Sequence, residues 1–123
     1  MMKSLLRCTA ILLSLAFTEP SLAKAPLRAE FQCASLEESL VLTCRVKLLR
    51  GQQGWSGAKL RVSADMPSMP MVHRIKPVMA DALGDEAGLY RFKLQLDMRG
   101  RWLIRLDVLE PERAVLTEVM NLP

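Results

Sequence analysis

From Leu27 onward the chain alternates apolar and polar residues with period two, and helical periodicity does not recur. Leu40, Leu42, Cys44, Val46 and Leu48 share one face, while Thr43, Arg45 and Lys47 point the other way. Leu60, Val62 and Ala64 alternate with Lys59, Arg61 and Ser63. Tyr90, Phe92, Leu94 and Leu96 alternate with Arg91, Lys93, Gln95 and Asp97. Trp102, Ile104, Leu106 and Val108 face away from Arg101, Arg105 and Asp107. Successive strand side chains point to opposite faces, so each run reads as a strand with one buried and one wet face. Turn-forming clusters at 35–39, 51–57, 81–88, 98–100 and 110–112 separate the runs. The pattern predicts strands over 27–34, 40–49, 58–64, 72–79, 89–97, 101–109 and 114–120, with room for a short helical turn in 80–88. Seven short strands at this spacing specify an all-β, immunoglobulin-like antiparallel sandwich.

The first 23 residues follow a different rule. Lys3 and Arg7 precede an apolar core over 8–17, Glu19 and Pro20 break it, and Ser21-Leu22-Ala23 offers a peptidase site. A bilayer span needs about 20 apolar residues, which this core does not supply. The expectation is a signal peptide over 1–23 and one domain over 24–123, periplasmic or secreted, with no membrane span in the mature form. Removing Lys3, Arg7 and Glu19 takes the formal net charge from +4 to +3, and losing Cys8 leaves two of three cysteines. Apolar types make up 50% of the chain and charged types 24%, which argues against disorder. The mild basic balance carries no Lys/Arg run longer than two, so no nucleic-acid partner is expected.

Cys33 and Cys44 fit the strand map. A hairpin centred near Glu38 and Ser39 sets them opposite each other on neighbouring strands, close enough to bridge. Their spacing matches neither a C-x-x-C redox motif nor a zinc pattern, and the expected role is a structural disulfide. Closing a loop of this length contributes roughly 3 kcal/mol in the chain-entropy model.

One stretch, 65–77, carries suggestive chemistry: DMPSMPMVHRIKP. Met66, Met69, Met71 and the only histidine, His73, fall within eight positions. Thioether sulfur is soft and uncharged, which suits Cu(I), and neutral imidazole binds either copper oxidation state. Pro67 and Pro70 hold the backbone extended. In a polyproline-like turn Met66 and Met69 would face the same way; in a strand Met69, Met71 and His73 would share a face. Plain packing competes with this reading, because Met fills irregular gaps, and so does adaptable contact with a protein partner.

Other candidates carry less. Asp81, Asp85 and Glu86 do not match a calcium loop. Trp55, set among glycines, is either an exposed binding aromatic or a plug against the core. A lone histidine offers one general base and no Ser-His-Asp arrangement, and no Gly-rich phosphate loop appears, so an enzyme is not expected.

The second half has an ordered set of features: Met66-Pro67 with a further methionine, Gly88-Leu89-Tyr90, and Gly100-Arg101-Trp102 opening an apolar strand. Over about residues 58–109 this resembles the YtkA-like domain family, with FixH-type domains as similar relatives. The resemblance implies an immunoglobulin-like sandwich in a bacterial envelope, often in a metal-transport context, and FixH-type domains are linked to copper handling and oxidase maturation. It places Met66, Met69, Met71 and His73 in the family's Met-Pro-rich segment. FixH-type proteins carry a membrane anchor that this sequence is not expected to have, and the Cys33–Cys44 hairpin falls outside the resembling half. The functional expectation is a non-enzymatic copper-binding domain exchanging metal with an envelope transporter or oxidase-assembly partner. The alternative is a metal-free interaction module with a structural Met-rich loop.

Overall fold

The alternating runs form nine strands: β1 (Leu27–Ala34), β2 (Val41–Arg50), β3 (Gln53–Gly54), β4 (Lys59–Asp65), β5 (Val78–Met79), β6 (Asp81–Ala82), β7 (Leu89–Gln95), β8 (Gly100–Glu110) and β9 (Ala114–Leu122). The structure is a computed structural model and describes residues 15–16, 25–36, 38–69 and 75–123. The leader expected over 1–23 lies, apart from residues 15–16, outside the described residues. No helix among the described residues is long and apolar enough to cross a membrane.

Every strand pair is antiparallel, and the strands divide into two sheets. One runs β1-β2-β7-β6, with β3 pairing the end of β2; the other runs β5-β4-β8-β9. Connections cross between the sheets after β3, β5 and β7 and stay within a sheet elsewhere. This is the immunoglobulin strand order, A-B-E-D against C-F-G, with one extra strand beside C.

The core lies between the sheets and uses the faces that alternation selects. Leu42, Cys44, Val46 and Leu48 from β2, Tyr90, Phe92 and Leu94 from β7, Leu60 and Val62 from β4, and Trp102 to Val108 at alternate positions of β8 are all buried. Phe31 of β1 meets Phe92 edge-on, with ring centroids 6.5 Å apart. Asp107 lies on the outer face yet is only 7% exposed. Its carboxylate accepts from Arg105 Nε at 3.0 Å and pairs with Arg61 Nη2 at 3.7 Å, so the buried charge is compensated.

Two expected segments differ. Of the strand expected over 72–79, residues 72–74 lie outside the described residues; among the described ones 75–77 are unpaired and Val78–Met79 joins β4, because Pro77 has no N–H to give a ladder. The segment 80–88 holds no helical turn; Asp81–Ala82 instead pairs with β7.

The Cys33–Cys44 disulfide forms, with these residues as direct cross-strand partners in β1 and β2. It therefore lies within one sheet, unlike the immunoglobulin bridge that joins two. Replacing both cysteines by serine is expected to lower the unfolding free energy by about 3 kcal/mol, measured by urea denaturation. An unchanged midpoint would show the bridge to be redundant with the β1–β2 ladder.

Candidate functional site

The two ends of the sandwich are built differently. At the end where β2 finishes and β7 begins, backbones approach closely. Leu48 N donates to Gly88 O at 2.7 Å and Trp55 N donates to Leu48 O at 2.8 Å. Gly88 has φ +81°, and a Cβ there would stand 2.5 Å from Leu48 O and 2.6 Å from Trp55 N. The buried Tyr90 hydroxyl donates to Trp55 O at 2.9 Å and accepts from Ala58 N at 3.1 Å. Arg50 lies over the Trp55 ring, 4.5 Å from its centroid, and pairs with Glu112. Trp55 is thus a half-buried plug against the core, fixed from both sides.

The opposite end carries residues 35–36 and 38–40 of the hairpin tip, residues 66–69 after β4 and the turn 96–99. Strand β4 stops at Asp65, whose Oδ1 accepts from Met66 N at 2.9 Å. Met69 N then donates to Met66 O at 3.1 Å, closing a β-turn with Pro67 and Ser68 at its centre. Proline pre-sets the backbone for the first central position of such a turn. Met66 and Met69 are therefore brought near each other by a hydrogen-bonded turn rather than by a polyproline-like repeat.

Their burial differs. Met66 is 4% exposed and belongs to the core, whereas Met69 is half-buried at its margin. The Met66 methyl lies 3.1 Å from where a Gly100 Cβ would stand, and Gly100 has φ +129°. Met71 and His73 lie outside the described residues. Among the described residues no three His, Cys, Asp or Glu side chains gather as a metal cluster.

The fold adds two methionines that sequence spacing does not connect to this stretch. Trp102, fully buried, donates from Nε1 to Met98 O at 3.1 Å. Met120 is the direct cross-strand partner of Trp102, and Asp65 pairs with Leu103, which brings Met66 to the same end of β8. Met98 and Met120 are half-buried against the same core. Four thioether side chains thus approach the Trp102 end of the sandwich from three separate parts of the chain. The β8–β9 register was the signal that could have placed Met120 there.

The acidic residues at 81–86 do not converge. Asp81 sits in β6, and the Glu86 carboxylate accepts a hydrogen bond from Lys47 Nζ. That bond, with the charge of Glu86, raises the Lys47 ammonium pKa above its ordinary value.

These contacts account for the ordered sequence features. Gly88 and Tyr90 lock one end, while Met66, Gly100 and Trp102 pack together at the other. No curated protein and no solved structure matches the chain. A family model, YtkA-like, matches residues 34–107, taking in β2 and Cys44 as well as the second half. The likeness therefore begins further toward the N-terminus than residue 58, and only Cys33 of the bridge falls outside it. By that match and this architecture, the chain belongs to the YtkA-like family.

Proposed function

We propose that this chain is a non-enzymatic domain of the bacterial periplasm or exterior that binds copper on the segment after β4 and exchanges it with an envelope transporter or oxidase-assembly partner. The observation that carries this reading is the Met66–Met69 turn. It anchors the segment through a buried methionine and leaves the next one at the core margin, ahead of Met71 and His73 in the sequence. Met66 is engaged in packing, so Met69, Met71 and His73 are the donors in this proposal, with Met66 as the anchor. Two soft thioethers and one imidazole form a set that favours Cu(I) over hard cations. A disulfide elsewhere in the chain accords with an oxidising compartment, where the paired cysteines supply no thiolate.

Titration of the purified domain with Cu(I) against a competing chelator is expected to give one site tighter than about micromolar. The Met69→Ala/His73→Ala double variant should bind at least about tenfold more weakly, equivalent to about 1.4 kcal/mol. Weaker wild-type affinity, or an unchanged double variant, would overturn the proposal.

The burial of Met66 and the packing of Met69 favour a second reading, in which the segment is structural and its rim contacts an envelope partner without metal. Partner capture that is indifferent to copper and to chelators would support this alternative; a copper requirement would remove it.

A further inference from the structure

The outer face of the β1-β2-β7 sheet carries a charge arrangement that no sequence run shows. Arg45 of β2 and Arg91 of β7 are direct cross-strand partners. Residues so placed have Cβ atoms about 5 Å apart, and like charges there repel. Lys93 follows Arg91 on the same face, about 6.8 Å further along the strand, opposite Thr43. All three cations are exposed.

Among the described residues their neighbours are ion-paired and they are not. Lys47 pairs with Glu86, and Arg28 pairs with Glu30 at 3.1 Å. Asp107 takes up Arg61 and Arg105 on the other sheet. No ion pair joins Arg45, Arg91 or Lys93 to any described residue, although Asp81 stands beside Arg91 in the β6–β7 ladder. Gln32, Thr43, Arg45, Arg91 and Lys93 border a shallow depression of about 490 Å³. The sheet thus retains an unfavourable guanidinium pair beside a third cation, with amide and hydroxyl groups at the margin.

We infer that this face binds an extended acidic segment of a partner protein, with carboxylates on alternate residues. One carboxylate would lie between the Arg45 and Arg91 guanidiniums, whose planar forks suit it. The next carboxylate, two residues on in an extended chain, would meet Lys93, because the strand repeat of ligand and receptor is the same. Charge complementarity of this kind sets partner choice and encounter rate. Glu30, Asp81 and Glu86 around the patch select a narrow acidic strand over a continuous anionic surface. This inference does not depend on copper, and the patch lies on a different surface from the methionine end.

The test is nuclear magnetic resonance titration of the isotope-labelled domain with the peptide acetyl-Gly-Asp-Thr-Asp-Gly-amide at low ionic strength. Parallel titrations use its isomer with adjacent aspartates, inorganic phosphate, and vesicles of phosphatidylglycerol. The expected result is saturable shifts at Gln32, Thr43, Arg45, Arg91 and Lys93, with preference for alternate aspartates and loss at high salt. The Arg45→Gln/Arg91→Gln variant should bind at least tenfold more weakly and melt no lower than the parent, since it removes a repulsive pair. Absence of binding, shifts centred elsewhere, or no preference over the isomer, phosphate or vesicles would each overturn the inference. A lower melting temperature for the variant would also overturn it, by showing the guanidiniums to be held structurally.

Discussion

Replacing Gly88 by alanine is expected to lower the unfolding free energy by about 2–5 kcal/mol. Two costs combine. A side chain at φ +81° sits in the left-handed region, at about 1–2 kcal/mol. Its Cβ would also press on Leu48 O, Trp55 N and Gly54 Cα, all within 2.8 Å. These are backbone atoms, so no rotamer change relieves the contact, and overpacking of this kind adds about 1–3 kcal/mol. The hydrogen bond from Leu48 N to Gly88 O would be strained at the same time. Urea denaturation should show the shift. Gly84→Ala is the control, because a Cβ there meets nothing within 4 Å, and its effect should stay within about 0.5 kcal/mol. Equal midpoints for the two variants would refute the close approach.

The second large effect is at the other end. Trp102→Ala should cost about 3–5 kcal/mol, as expected for deleting a fully buried aromatic and leaving a cavity. It also frees Met98 O from its indole donor. Met66 packs at the same end of β8, so Met66→Ala and Trp102→Ala should not be additive. Strict additivity in the double variant would show that they do not share a packing unit.

How far the sequence revealed this molecule depended on whether a local period carried the information. In β2, β4, β7 and β8, alternation selected the faces that are buried, and the hairpin centre at Glu38 and Ser39 set the Cys33–Cys44 register correctly. Alternation also put Asp107 on the outer face, but its ion pair there with Arg61 comes from the neighbouring strand. Strands β3, β5 and β6 have two residues each, too few to show a period, so they were missed or overextended. Between β4 and β5, Pro67 and Pro77 interrupt the pattern, and the Met66–Met69 turn depends on hydrogen bonds that spacing does not encode. Met98 and Met120 joined the methionine end, and Arg45 met Arg91, only through strand register. Gly88 was visible as a turn residue; the backbone pressed against it was not.

The lock around Gly54, Gly88 and Tyr90 has a consequence for how such a domain can diversify. Contacts made by main-chain atoms leave little room for compensating substitutions, so that end constrains any descendant sequence. At the far rim Met66 and Trp102 pack into the core, and surface connections generally tolerate changes of length and content. New recognition properties can therefore arise there by loop exchange while the foundation stays fixed, much as antibody variable domains acquire specificity on a constant framework.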